Sequence, residues 1–86
     1  MADAIHRYEV AVDDRWHPLQ LSGDILHVAC RNMHAVELWA MSTDGPKVTR
    51  SFRVYGTGHP IPPDLQYVGT AIAPGGQLVW HLLESP

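Results

Sequence analysis

A single cysteine, Cys30, stands among the 86 residues. No intramolecular disulfide can form, which fits a reducing compartment and excludes the disulfide-stapled small folds. Positive charge is scarce as well: six Lys and Arg against nine Asp and Glu give a formal net charge of −3. A general nucleic-acid binder normally presents a basic domain, so that class is set aside. No apolar run approaches the ~20 residues of a membrane helix. Met1-Ala2-Asp3-Ala4-Ile5-His6-Arg7 lacks a basic stretch followed by an apolar one, so no signal peptide is expected. These absences predict a cytoplasmic protein without a membrane segment.

What is present is apolar material. Hydrophobic residues make up 45% of the chain, with three Trp and three Tyr, enough for a real core. The length predicts a single domain over 1–86, near the size at which a monomer buries only about 60–65% of its unfolded surface. Charged residues amount to 17%, too few to keep every face strongly solvated, so a homo-oligomer is expected.

Short alternating segments punctuated by turn residues recur along the chain. Strands are predicted over 5–12, 16–21, 25–30, 35–41, 47–55, 67–73 and 77–83. Pro18 restricts the second to a sheet edge or to its opening residues. Arg31-Asn32-Met33-His34 reads as a hairpin turn with Asn32 able to take positive φ. Helix competes over 33–41, where Glu, Leu, Ala and Met are good helix formers. The segment is short and holds β-branched and aromatic residues, so the fourth strand is preferred. It puts Val36, Leu38 and Ala40 on one face and Glu37, Trp39 and Met41 on the other. The fifth alternates most strictly, with Val48, Arg50, Phe52 and Val54 against Lys47, Thr49, Ser51, Arg53 and Tyr55. Turn signals every ~8–12 residues predict an all-β fold, a small antiparallel sandwich or barrel of about seven short strands built from hairpins. Residues 65–83 carry no Asp, Glu, Lys or Arg. Such a hairpin is either central in its sheet or covered by another subunit. Gly56 and Gly69, in the similar runs Tyr55-Gly56-Thr57 and Val68-Gly69-Thr70, mark places where another group comes close.

No complete catalytic or metal motif occurs. The six histidines, His6, His17, His27, His34, His59 and His81, lack the ligand spacing of a zinc site, and no metal or cofactor is expected. Cys30 lies in no nucleophile motif and reads as a small core residue. Asp13-Asp14 sits beside Arg15 in a turn, a solvated and partly self-neutralised loop. Gly56-Thr57-Gly58 completes neither a dinucleotide fingerprint nor a P-loop, and Pro60, Pro62 and Pro63 forbid the helix that either would need. The chain is therefore expected not to be an enzyme.

One stretch concentrates binding chemistry. Lys47, Arg50 and Arg53 are half of all Lys and Arg, and no acidic residue occurs between Gly45 and Pro63. Arg50 shares its predicted face with Phe52 and Val54, so it requires a partner such as Glu37, or an anion. Arg50, Arg53, Tyr55, Gly56, Thr57, Gly58 and His59 form the candidate ligand-binding set, with glycine amides as additional donors. A cross-strand ion pair beside a rigid structural loop is the competing reading of the same residues.

Thr49-Arg50-Ser51-Phe52-Arg53-Val54-Tyr55-Gly56-Thr57-Gly58-His59-Pro60, Tyr67-Val68-Gly69-Thr70-Ala71 and Gly75-Gly76-Gln77-Leu78-Val79-Trp80-His81-Leu82-Leu83-Glu84 resemble, in order and spacing, a family of small uncharacterised phage and actinobacterial proteins. Leu38-Trp39-Ala40 extends the match, which covers about half of the chain. The resemblance brings no activity with it and implies a phage or prophage setting. The expected function is a non-enzymatic binding module whose 52–63 strand and loop hold a small anionic or nucleotide-derived ligand, such as a host defence signal. The alternative is an adaptor or phage structural accessory that docks a host protein through the uncharged 65–83 hairpin.

Overall fold

Alternation of small apolar and polar residues between frequent turns leaves the chain one way to bury its apolar half, by folding into strands that face each other. A computed structural model describes residues 3–86, and shows seven strands and no helix among them. They are β1 (Ala4–Ala11), β2 (His17–Leu21), β3 (Ile25–Ala29), β4 (Ala35–Ser42), β5 (Val48–Gly56), β6 (Gln66–Ile72) and β7 (Val79–Glu84). The expected strands are all found, with ends displaced by a residue or two. No helix is long and apolar enough to cross a membrane among the described residues.

Two antiparallel sheets stack into a sandwich. One has the order β1-β4-β3 and the other β2-β5-β7-β6. Only β3–β4 and β6–β7 are hairpins of consecutive strands; β1–β4, β2–β5 and β5–β7 join distant segments. β2, with Pro18 inside it, is an edge strand, as proline requires. The uncharged 65–83 segment divides: β7 is central and β6 is an edge.

Alternation then decides what lies between the sheets. Val10, Val36 and Leu38 of the first sheet face Leu21, Phe52, Val54 and Leu82 of the second, all buried. β3 lies over β6 at one side of the sandwich, where Gly69 packs against Val28. A Cβ built there would come 2.7 Å from Val28 Cγ2 and 2.9 Å from Val28 Cβ. The expected close approach at Gly69 is real, and valine is too stiff at χ1 to yield. Gly69→Ala is expected to lose about 1–3 kcal/mol in urea unfolding, and Val28→Ala in the same chain to recover part of it.

The 31–34 turn works differently from expectation. Asn32 does not adopt positive φ; Asp64, at 75°, is the one described non-glycine residue that does. Instead Asn32 Oδ1 accepts hydrogen bonds from the backbone N–H groups of His34 (2.8 Å) and Ala35 (3.0 Å). An Asx-type side-chain bond holds this turn without a left-handed residue.

A candidate binding face on the four-stranded sheet

β5 presents its two arginines to opposite sides of the sheet, because they are three residues apart on a strand of period two. Arg50 turns toward the inner side, with its guanidinium 5.7 Å from the Phe52 ring centroid. Its Nε donates to Glu84 Oε2 at 2.6 Å and its Nη2 to Glu84 Oε1 at 2.8 Å. Glu84 is therefore the partner, and the expected pairing with Glu37 is not made. The guanidinium pKa is raised, chiefly by the hydrogen bonds to Glu84. This bidentate pair ties β5 to β7 and leaves Arg50 no direct role on the outer face.

Arg53 turns outward. Its guanidinium lies 5.0 Å from the ring centroid of Tyr55, two residues along the same face. Its Nε–H is buried and has no hydrogen-bond partner. The nearest carboxylate, Asp14, stands 3.9 Å from Nη2 on a fully exposed side chain, a geometry that contributes little. Of the two arginines in the basic strand, one is paired bidentately with a carboxylate and the other is not.

A chain of side-chain hydrogen bonds crosses the sheet beside this pair. Tyr55 stands opposite His81 in the β5–β7 register, and Thr70 opposite His81 in the β6–β7 register. Thr57 Oγ1 is 2.7 Å from His81 Nε2, and His81 Nδ1 is 3.0 Å from Thr70 Oγ1. Tyr67 Oη completes the chain at 2.6 Å from Thr70 Oγ1. Each member can act as donor or acceptor, so the row fixes the side chains without fixing one proton arrangement. Arg53 and Tyr55 flank a polar row of Thr57, His81, Thr70 and Tyr67.

The glycine turn is occupied with its own bonds. Gly58 takes φ of 87°, where a glycine avoids the Cβ clash. His59 N–H donates to the Gly56 carbonyl at 3.1 Å, and Gly56 N–H donates to His59 Nδ1 at 3.3 Å. A Cβ on Gly56 would meet the His59 ring at 3.0 Å and Trp80 at 3.4 Å, which accounts for the small residue expected there. The candidate set therefore separates into three places: Arg50 with Glu84, Arg53 with Tyr55 and Thr57 on the outer face, and Gly56 with His59 in the turn. The structure adds His81, Thr70 and Tyr67, which sequence reasoning left among scattered imidazoles and an uncharged hairpin. Only the strand registers bring them to Tyr55 and Thr57.

The outer face of the other sheet offers a contrast. Glu37 is 2% exposed and receives Arg31 Nε at 2.6 Å, Arg31 Nη2 at 2.8 Å and Arg7 Nη1 at 2.8 Å. Arg31 also lies over Trp39, 5.5 Å from its centroid, and His27 packs against that ring at 5.8 Å. These cations are already answered. Cys30 is buried with Sγ directed at the Asn32 and Ala35 carbonyls, and burial raises its thiol pKa, opposite to the need of a nucleophile. Asp13 Oδ1 is 2.7 Å from His17 Nε2 and accepts the Arg15 N–H at 3.0 Å, so this loop is cross-bonded. Among the described residues no three His, Cys, Asp or Glu side chains are grouped as a metal would need.

Clefts of about 240, 210 and 290 Å³ lie along β3 and β6, between the 56–59 turn and residues 77–80, and beside residues 21–24 and 46–50. None of the three takes in Arg53. One family model, described as "Domain of unknown function (DUF7352)", matches residues 1–86. The chain belongs to that family. No curated protein and no solved structure matches it. Membership bears out the expected link to an uncharacterised family and assigns no reaction to the arginine–tyrosine face.

Proposed function

We propose that the chain is a non-enzymatic binding module that docks a protein partner on the outer face of the four-stranded sheet, with Arg53 receiving an acidic side chain. The observation carrying this reading is the partly exposed Arg53 guanidinium, stacked on Tyr55 and met on its Nη2 side only by Asp14 at 3.9 Å. A partner's carboxylate meeting the Nη side forms the short charge-assisted hydrogen bonds that Asp14 does not supply. Arg and Tyr are also the residue types that dominate protein interfaces. None of the clefts takes in Arg53, so this face encloses no small molecule, which needs most of its surface covered. A phage origin, implied by the motif resemblance, would make the partner a host protein in the host cytoplasm.

The nucleotide-derived ligand is the second reading, because a phosphate could meet the same guanidinium. Thermal unfolding of the wild type and Arg53→Gln separates the two, using nucleotides and cyclic nucleotides in one arm and Asp/Glu-rich peptides in the other. Stabilisation by the peptides, reduced about tenfold or more in apparent affinity by Arg53→Gln, is the expected result. Stabilisation by nucleotides alone would transfer the site to the second reading. No response in either arm, well above micromolar ligand, would overturn both.

A further inference from the structure

Four strands border open edges in the two sheets, and three carry features that discourage another strand. β1 carries Arg7 and Glu9, β2 contains Pro18, and β3 is five residues long with an irregular register between Ile25 and His27. β6 differs. Its seven residues, Gln66–Ile72, contain no charge and no proline, and its bulge between Tyr67 and Gly69 leaves Gly69–Ile72 in regular register.

Pairing geometry shows which backbone groups that edge offers. The Ala73 N–H donates to the Leu78 carbonyl at 2.8 Å, continuing the register in which Ile72 faces Val79. Antiparallel strands alternate bonded and non-bonded pairs, so Ala73 and Ala71 turn their backbone groups toward β7. Thr70 and Ile72 turn theirs away, to the open side. A second β6 running antiparallel, with Ala71 opposite Ala71 on a two-fold axis, would place Thr70 opposite Ile72 of the other copy twice. All four outward-facing N–H and C=O pairs would be used in that one register. Ala71, 3% exposed and small, puts no bulk at the axis.

The surroundings fit the same occupant. The cleft of about 240 Å³ beside this edge is lined by Ile25, Leu26, His27, Val28, Val68, Gly69 and Thr70, none of which is Asp, Glu, Lys or Arg. Leu26 in this lining is 49% exposed, and Tyr67 and Ile72 on β6 itself are 65% and 63% exposed. A two-fold contact sets each group against its own kind, so an uncharged side meets its copy without like-charge repulsion. A charged partner would find no complementary group there.

We infer that β6 is the self-association edge: two copies pair β6 to β6 antiparallel about Ala71, forming one continuous eight-stranded sheet across the dimer. The contact is independent of Arg53, and it would set two of the proposed docking faces on one surface. Sedimentation equilibrium over a dilution series up to about 100 µM chain is the test. The wild type is expected to approach twice its 9.6 kDa mass at the top of the series. Ile72→Lys, at an exposed position, is expected to weaken association at least tenfold with an unchanged thermal midpoint extrapolated to low concentration. Ile72→Pro removes an outward N–H that β7 does not use, and should act in the same direction. Arg53→Gln should leave association intact, which keeps failure of the docking reading separate. A wild type that stays at 9.6 kDa throughout, or an Ile72→Lys chain that associates as well as the wild type, overturns the inference.

Discussion

Phe52→Ala is expected to remove about 3–5 kcal/mol and to leave much of the chain unfolded near body temperature. Phe52 is the only phenylalanine in the sequence and is fully buried between the sheets. It stands opposite His17 of β2 and Glu84 of β7, so its ring lies at the centre of three adjacent strands. Deleting the ring removes transfer free energy and leaves a cavity that the surrounding β-sheet backbone cannot close. A domain of this length has about 4–13 kcal/mol of total stability, so the loss is a large fraction of it. Urea unfolding with matched slopes gives the value directly, and Tm should fall by about 15–30 °C. Phe52→Leu, which keeps most of the volume, should cost only about 1–2 kcal/mol. A loss below about 1 kcal/mol for the alanine variant would contradict the buried placement. The binding face depends on this anchor as well. Phe52 inside fixes Arg53 outside, because neighbouring residues on a strand point to opposite faces.

That dependence shows why parts of the site can be read from sequence. Strict alternation in β5 separates Phe52 and Val54 from Arg53 and Tyr55 before any partner strand is known. Turn residues likewise place the breaks between strands, since glycine, proline and Asx residues act locally. Long-range pairing is a different matter. Arg50 needs a carboxylate, and both Glu37 and Glu84 are available in the sequence. The choice falls on Glu84 because β5 pairs with β7, 34 residues away, a fact no local pattern encodes. Glu37 is claimed instead by Arg7 and Arg31, which flank it through β1 and the 31–34 turn. The same limit hid the row from Thr57 to Tyr67, whose members meet only through two registers around His81. At Asn32, side-chain bonding and positive φ were both open to the residue, and local composition does not separate them.

Glu37 itself supports the second large effect, one with a sign that pH can reverse. Hydrogen bonds from Arg31 act first against the cost of burial, joined by that from Arg7, and hold its carboxyl at about 2, below the ordinary 4.5. A carboxyl whose folded pKa is depressed stabilises the fold above its unfolded pKa. That contribution, about 2–3 kcal/mol, is lost as pH falls from about 4.5 toward 2. Replacing Arg7 and Arg31 together with methionine keeps apolar cover over the carboxylate but takes away both cations, and is expected to destabilise the fold at neutral pH. Burial alone then raises the Glu37 pKa above its unfolded value. The sign inverts: the double variant should gain stability as pH falls from about 7 toward 5, while the wild type stays level over that interval. Urea unfolding across this range measures both slopes. Adding Glu37→Gln to the double variant should flatten its slope and restore part of the neutral-pH loss, because an amide can be buried without a charge. A double variant that keeps the wild-type slope would show that Glu37 is solvated without its arginines. The sheet would then hold that face by apolar packing on Trp39 alone.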